Sequence, residues 1–439
     1  MAERESNFVR AVSRVVVVKP AELPLLLAAF GTVFCMFTAY MMLRPVRDAI
    51  GAGDFENISA LFWGTFIAML ALQPVYGWLT SRYRRTAFLP WVYGVFCLNL
   101  VAFWAWFTFS DEKSVSHLYA GRAYFVWVSV FNLFVVAVFW SLMADIFTRE
   151  QAGRMFGFIA AGLSCGGMAG PAIATVLAPR IGAISLLLVA AGVLALSLVA
   201  MLGLLALHRR VPGDGGESLS AEQARERDAA LGGGMWSGFT AVAKSPYLLG
   251  IALFVLLLTW VSTFLYVEQL KLVNSAFATR NERTAYFSTI DFWVQASSLV
   301  LQMLIFSRAF KLFGFRAMIV FMPIVMMAGF VAIALAPTFA MVVAVMCVRR
   351  VGEYGITRPC RDMLWTSVPR EEKYKAKALI DTFVYRGGDA TSASLHKALK
   401  LGPAETAWLG AATAAVWCGV AWWVGRKGSA AQQVRTTAQ

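Results

Sequence analysis

Residues 183–207 read AISLLLVAAGVLALSLVAMLGLLAL, and His208-Arg209-Arg210 follow at once. The run holds no charged side chain. As a helix its 25 residues would rise about 38 Å at 1.5 Å per residue. That exceeds the roughly 30 Å hydrocarbon core of a bilayer. A lone strand could not satisfy its backbone groups in lipid, whereas a helix does so internally. The abrupt basic end is what a spanning helix carries on its cytoplasmic side.

Similar runs recur on both sides of this one. They lie near 22–44, 57–79, 87–109, 119–142 and 155–178 before it. After it come 247–271, 284–308, 314–336, 338–360, 378–400 and 403–425. The expected fold is therefore an all-α integral membrane protein with about twelve transmembrane helices. Composition agrees: 59% of the 439 residues are hydrophobic and 15% charged, against about 25% charged in soluble domains. Mean hydropathy is +0.65.

The net charge of +14 would suggest nucleic acid in a soluble protein. Here the cations gather in short stretches between apolar runs. Examples are Arg82, Arg84 and Arg85, then Arg308, Lys311 and Arg316, then Arg370, Lys373, Lys375 and Lys377. Such clusters report topology rather than a nucleic-acid partner. They put the even-numbered loops and both termini in the cytoplasm, with Arg426 and Lys427 near the end of the chain. No small-residue cleavage site follows the first apolar run, so that run is expected to remain as a helix. The six cysteines form no CxxC pair and are expected as free thiols. The three histidines (His117, His208 and His396) fall near span ends without ligand spacing. No metal or other cofactor is expected, no GxxxxGK[ST] phosphate loop occurs, and no catalytic residues are assigned.

The longest polar stretch, 211–244, is glycine-rich and then charged from Glu222 to Asp228. It reads as a cytoplasmic linker with a short amphipathic helix. It separates an N-terminal six-helix bundle, 1–210, from a C-terminal bundle and tail, 245–439. Each half also leaves a span through an Arg-Glu pair, at Arg149-Glu150 and Arg370-Glu371. Parallel six-helix repeats of this kind resemble the major facilitator architecture. Gly77 followed by Arg82, Arg84 and Arg85 resembles that superfamily's loop motif, with Ser81 where an acid is usual. Gly157, Gly166, Gly170 and Pro171 resemble its antiporter signature, or serve close helix packing.

Ionisable groups inside spans cost about 2.5–3.5 kcal/mol at mid-helix, so they persist where they pair or face a cavity. Arg44, Arg47 and Asp48 share a helix face if the first span continues through Pro45. The two guanidinium forks suit phosphate oxygens; the alternative is an ion-pair network with Asp48 and Asp54. The tenth span carries Arg349, Arg350, Glu353, Arg358, Arg361 and Asp362. Arg349 and Glu353, one turn apart, can neutralise each other, leaving Arg350 and Arg358 as the freer cations. Glu268 and Lys271 lie in the seventh span, Asp291 in the eighth, and Asp381, Arg386 and Asp389 in the eleventh. The set reads as a solute pathway. Arg44, Arg47, Arg350, Arg358, Lys375, Lys377 and Arg386 are candidate substrate ligands. Asp48, Glu268, Asp291, Glu353, Asp381 and Asp389 are candidates for gating or coupling.

Four stretches resemble the ATP/ADP translocase family of nucleotide transporters. They are Leu43–Asp48, Tyr266-Val267-Glu268, Pro359–Trp365 and Lys373–Asp381. The last, similar to Lys-x-Lys-Gly-Lys-Ala-x-Ile-Asp, is the most specific, with Ala376 in place of the glycine. The resemblance implies exchange of ATP, ADP or a related phosphorylated anion by alternating access. It marks Arg47, Glu268 and Lys375 or Lys377 as key charges. The chain departs from the family in the fourth span, Tyr124 to Trp140, which has no acid, and at Arg386-Gly387-Gly388-Asp389. A monomer in the cytoplasmic membrane of a free-living bacterium is the expected setting. The competing expectation is a proton-coupled transporter of another solute, with Asp291 or Asp389 titrating.

Overall fold

The computed structural model describes residues 22–83, 85–210, 235–369, 372, 376–377 and 379–437. Among the described residues every regular element is a helix. Helices α1 (Leu23–Gly53), α2 (Ile58–Arg82), α3 (Arg85–Phe109), α4 (Val115–Ile146), α5 (Arg149–Ile181) and α6 (Leu186–Arg210) form the first series. Next come α7 (Met235–Lys244), α8 (Pro246–Ala276), α9 (Arg280–Val300) and α10 (Ser307–Leu335). The last are α11 (Phe339–Gly352), α12 (Arg358–Leu364), α13 (Tyr385–Leu399) and α14 (Pro403–Thr437).

Nine stretches of the described residues are long and apolar enough to cross a membrane. One of them, Arg280–Leu335, contains both the eighth and the ninth expected spans. They part at Gly314, where φ is 72°, a conformation that a side chain would disfavour. The tenth and eleventh expected spans carry too many charges to stand out by composition, yet both are helical. Each is interrupted by a π segment, Glu353–Thr357 and Ile380–Val384. A third π segment, Leu301–Phe306, joins α9 to α10.

α1 runs unbroken through Pro45. The helix therefore continues past the expected end of the first span, and residues 44, 47 and 48 lie on it. Thr148 begins α5 with a reciprocal capping box to Gln151, which satisfies two otherwise orphan N–H groups. The part of the expected linker before Met235 lies outside the described residues. Its end forms α7, where Phe239 meets Phe383 edge-on, ring centroids 5.0 Å apart.

The chain divides into two compact units. The first takes α1 as far as Ile50, the chain from Leu72 through α6, and the segment Thr279–Phe292. The second takes Gly51–Ala71, α7, α8 and the chain from Trp293 onward. Tyr93, Tyr124, Phe131 and Phe139 are fully buried in the first core. Phe254, Phe264, Phe330 and Trp365 are their counterparts in the second. Within the first unit α5 lies directly on α1. A Cβ at Gly166 would stand 2.6 Å from the Phe34 carbonyl oxygen, and one at Gly170 2.5 Å from that of Thr38. Those glycines permit the close approach; Gly157, on the same helix, has nothing within 4 Å.

Candidate functional site

In the first unit, α1 and the middle of α9 bring charges together against α4. Arg44 Nε lies 3.9 Å from Asp48 Oδ2 and 3.9 Å from Asp291 Oδ2. Arg47 Nη1 lies 3.9 Å from Asp48 Oδ1. All three are ion pairs too long for hydrogen bonds. Asp291 is wholly buried and Asp48 nearly so. The Arg47 guanidinium rests on the Phe125 ring, 4.1 Å from its centroid, a cation–π contact. Its Nε is buried and makes no hydrogen bond. Tyr124 donates from its hydroxyl to the Leu43 carbonyl at 3.2 Å, tying α4 to this turn of α1. Four sequence-selected residues, Arg44, Arg47, Asp48 and Asp291, thus share one site. Asp54 belongs to the second unit, where it accepts from Asn57 Nδ2 at 2.7 Å.

In the second unit the charges of α11–α13 form a longer network. Arg349 pairs with Glu353, as their spacing predicts, and donates to Ser262 Oγ at 2.7 Å. Lys377 Nζ meets Asp362 Oδ1 at 3.0 Å, and Arg361 lies 3.9 Å from Asp381. Arg386 pairs with Asp389 at 3.4 Å, while Thr263 donates to the other Asp389 oxygen at 3.0 Å. Arg358 is exposed, within electrostatic reach of Glu353 and Asp381. Arg350 is buried and engaged with its neighbours, so it does not stand free. Lys375 lies outside the described residues.

Two histidines acquire partners that the sequence does not reveal. His396 Nε2 is 2.9 Å from Glu268 Oε1, and Lys271 Nζ is 3.5 Å from the same oxygen. Glu268 is buried, and its Oε2 has no hydrogen-bond partner. One signal was available: Asp389, Ser392 and His396 recur at helical spacing, and α13 turns that face toward α8. In the first unit His117 lies with Nδ1 2.9 Å from Ser110 Oγ and Nε2 2.8 Å from Arg280. Because the guanidinium can only donate, His117 Nε2 must accept there. Asn281 Oδ1 accepts from the Ala183 N–H at 2.8 Å, fixing the start of α9 to the loop before α6. Among the described residues no three His, Cys, Asp or Glu side chains are grouped to hold a metal ion.

Long apolar helices with charged side chains buried among them define a multi-pass membrane protein. The sequence model of the Major Facilitator Superfamily matches residues 25–388, and the chain belongs to that superfamily. It is therefore a membrane transporter of small molecules. Solved structures with the same fold include a bacterial homologue of the iron transporter ferroportin, with TM-score 0.65 and 14% identity. That match covers 92% of this chain and 98% of the other. The nucleoside transporter NupG gives TM-score 0.59 at 14% identity, covering 94% and 99%. The xylose transporter XylE from E. coli gives 0.57 at 13%, covering 91% and 95%. No curated protein sequence matches the chain.

Proposed function

We propose that this transporter exchanges nucleotides, or a closely related phosphorylated anion, by alternating access. Its setting on this reading is a bacterial cytoplasmic membrane, with both termini inside and a monomer sufficient. The observation that carries the reading is Arg47. Its side chain is partly buried, has an Nε without a hydrogen-bond partner and reaches Asp48 at 3.9 Å. A phosphate would supply the missing acceptor, and the fork geometry favours it over a monovalent halide. The translocase-like stretches 43–48, 266–268, 359–365 and 373–381 support the same assignment. In the second unit Arg358 and Lys377 are the accessible cations for the phosphate chain, with Arg349–Glu353 and Arg361–Asp381 as pairs that could open and reform.

The test is uptake of labelled ATP and ADP into liposomes holding the purified protein, with and without internal unlabelled nucleotide. Uptake that needs internal nucleotide and is lost in Arg47→Ala supports exchange. No uptake from demonstrably folded protein removes the nucleotide assignment.

A second reading, proton coupling with another solute, is favoured by one observation. Glu268 and His396, a carboxyl and an imidazole, share a buried contact of 2.9 Å between α8 and α13. Under that reading an inward proton gradient accelerates uptake without internal substrate, and Glu268→Gln abolishes the acceleration.

A further inference from the structure

On the second unit α8 and α14 pack together along much of their length but part on one face. There Pro246, Leu249, Gly250, Leu253, Gly419 and Trp423 line an open groove of about 320 Å³. Two glycines shape it, one by admitting a wall and one by leaving space. The Trp423 ring occupies the space that a Cβ at Gly250 would need, only 2.4 Å away. Gly419 is exposed and has nothing within 4 Å of where its Cβ would stand, so the groove is open at that point. Leu249 and Leu253 are 47% and 42% exposed beside it. On a multi-pass membrane protein an exposed apolar face of this kind meets lipid chains.

One end of the groove is basic. Lys244 is exposed, two residues before Pro246. Lys427 is exposed as well, and its Nζ stands 4.8 Å over the Trp423 ring that walls the groove. Arg426 stands over Trp422 at 5.7 Å. The N-terminus of α8 lies at the same end and adds its positive dipole. Tryptophans beside lysine and arginine are the pattern of the membrane–water boundary. From Pro246 to Leu253 the groove follows α8 for about 10 Å, at 1.5 Å per residue.

We propose that this groove is a binding site for one anionic phospholipid, with an acyl chain along α8 and the phosphate between Lys244 and Lys427. An uncharged tail would need the groove but not the lysines. A soluble phosphate would need the lysines but not the groove. The two features together call for an amphiphile of negative charge. This inference does not depend on which solute the protein carries.

The test is native mass spectrometry of the full chain, equilibrated in detergent with equal amounts of phosphatidylglycerol and phosphatidylcholine. Wild type is expected to retain one phosphatidylglycerol in preference to phosphatidylcholine. Lys244→Gln and Lys427→Gln should each lower that retention about fivefold, the effect of one cation at a charged membrane surface. Lys244 lies before α8 and is exposed, so its variant keeps the fold even if the Trp423 contact matters to the other. Gly419→Phe fills the groove without a clash and should abolish retention, whereas Gly192→Phe, on an open face of α6, should not. Equal retention of the two lipids by wild type, or undiminished retention in Gly419→Phe, overturns the proposal. So does a dimer that Gly419→Phe converts to monomer, which would assign the groove to a second copy of the chain.

Discussion

The contact of α5 with α1 makes a quantitative prediction that links packing to transport. In Gly170→Ala the new Cβ would stand 2.5 Å from the Thr38 carbonyl oxygen and 2.8 Å from Met41 Cβ. Ordinary contact begins at 3.4 Å, so the helices must separate by about 0.9 Å (3.4 − 2.5). Both obstacles are rigid, one being backbone and the other a Cβ. Overpacking of this kind costs about 1–3 kcal/mol. Alanine recovers about 0.8–1.0 kcal/mol of helix propensity. Gly157→Ala, on the same helix with open space around it, gains the propensity without the clash. The two variants should therefore differ by about 1–3 kcal/mol, a gap of roughly 2–12 °C in Tm for domains of this size. Arg44 and Arg47 follow Met41 on α1, so the displacement reaches the charged site. A hydrogen bond of about 2.9 Å stretched by that amount leaves bonding range, and substrate affinity should fall in Gly170→Ala alone. Thermal unfolding by size-exclusion fluorescence and liposome uptake read the two effects. Equal stability and equal uptake in the two variants would refute the claim that α5 holds α1 in place through these glycines.

Other substitutions isolate single contacts. Arg47→Lys keeps the charge but loses the fork and the flat face on Phe125, and should weaken the anion's half-saturation about 10–150-fold, the worth of a charged hydrogen bond; radiotracer competition would measure it. His396→Ala leaves Glu268 buried with only Lys271 at 3.5 Å. It should destabilise the protein by about 1–3 kcal/mol, the cost of leaving a buried polar group without its hydrogen bond, and Glu268→Gln in the same background should recover part of the loss in thermal unfolding. Asn281→Ala removes the acceptor of the Ala183 N–H and should cost about 1–3 kcal/mol, visible as faster hydrogen exchange around residues 182–186. Gln302→Leu withdraws the donor that caps the Tyr354 carbonyl at 3.0 Å; transport should fall although no charge has changed, and unchanged uptake would count against any role for the π segments.

The fold was legible in the sequence because lipid leaves few alternatives. Runs such as 183–207 can cross a bilayer only as helices, and twelve of them with basic punctuation imply the superfamily's architecture. Even the proximity of Arg44, Arg47 and Asp48 followed from spacing, once Pro45 was found inside α1. What spacing cannot supply is the partner on another helix. Asp291 reaches Arg44 across a separation of 247 residues (291 − 44), and nothing near Asp291 in sequence points there. His396 and His117 looked isolated for the same reason. Their partners, Glu268 and Arg280, come from α8 and α9. The glycines of α5 were ambiguous between signature and packing; the geometry gives Gly166 and Gly170 a packing role, and both residues stand where α1 must be held.

The charged network of the second unit was harder to read for a different reason, which is helical register. Periodicity arguments assign each residue 100° of rotation. Arg349 and Glu353 obey that rule because both precede or open the π segment, and they pair as expected. Beyond Glu353 the wider turn admits an extra residue, so Arg358 and Arg361 are rotated by about 100° from their α-helical positions. The same happens between Asp381 and Arg386 across the segment Ile380–Val384. Wider turns disrupt the regular hydrogen-bond ladder, and Gln302, itself in a π segment, donates to the Tyr354 carbonyl. Gly355 leaves room for Leu301 at that crossing, where a Cβ would come within 2.4 Å of the leucine. Two irregular segments thus brace each other beside the Arg349–Glu353 pair. A helix that can gain or lose one π turn can rotate its arginines relative to their acidic partners without breaking. On the exchange proposed above, the adjustable part of the backbone would lie at the π segments that begin with Glu353 and hold Asp381, where those pairs are expected to open and reform.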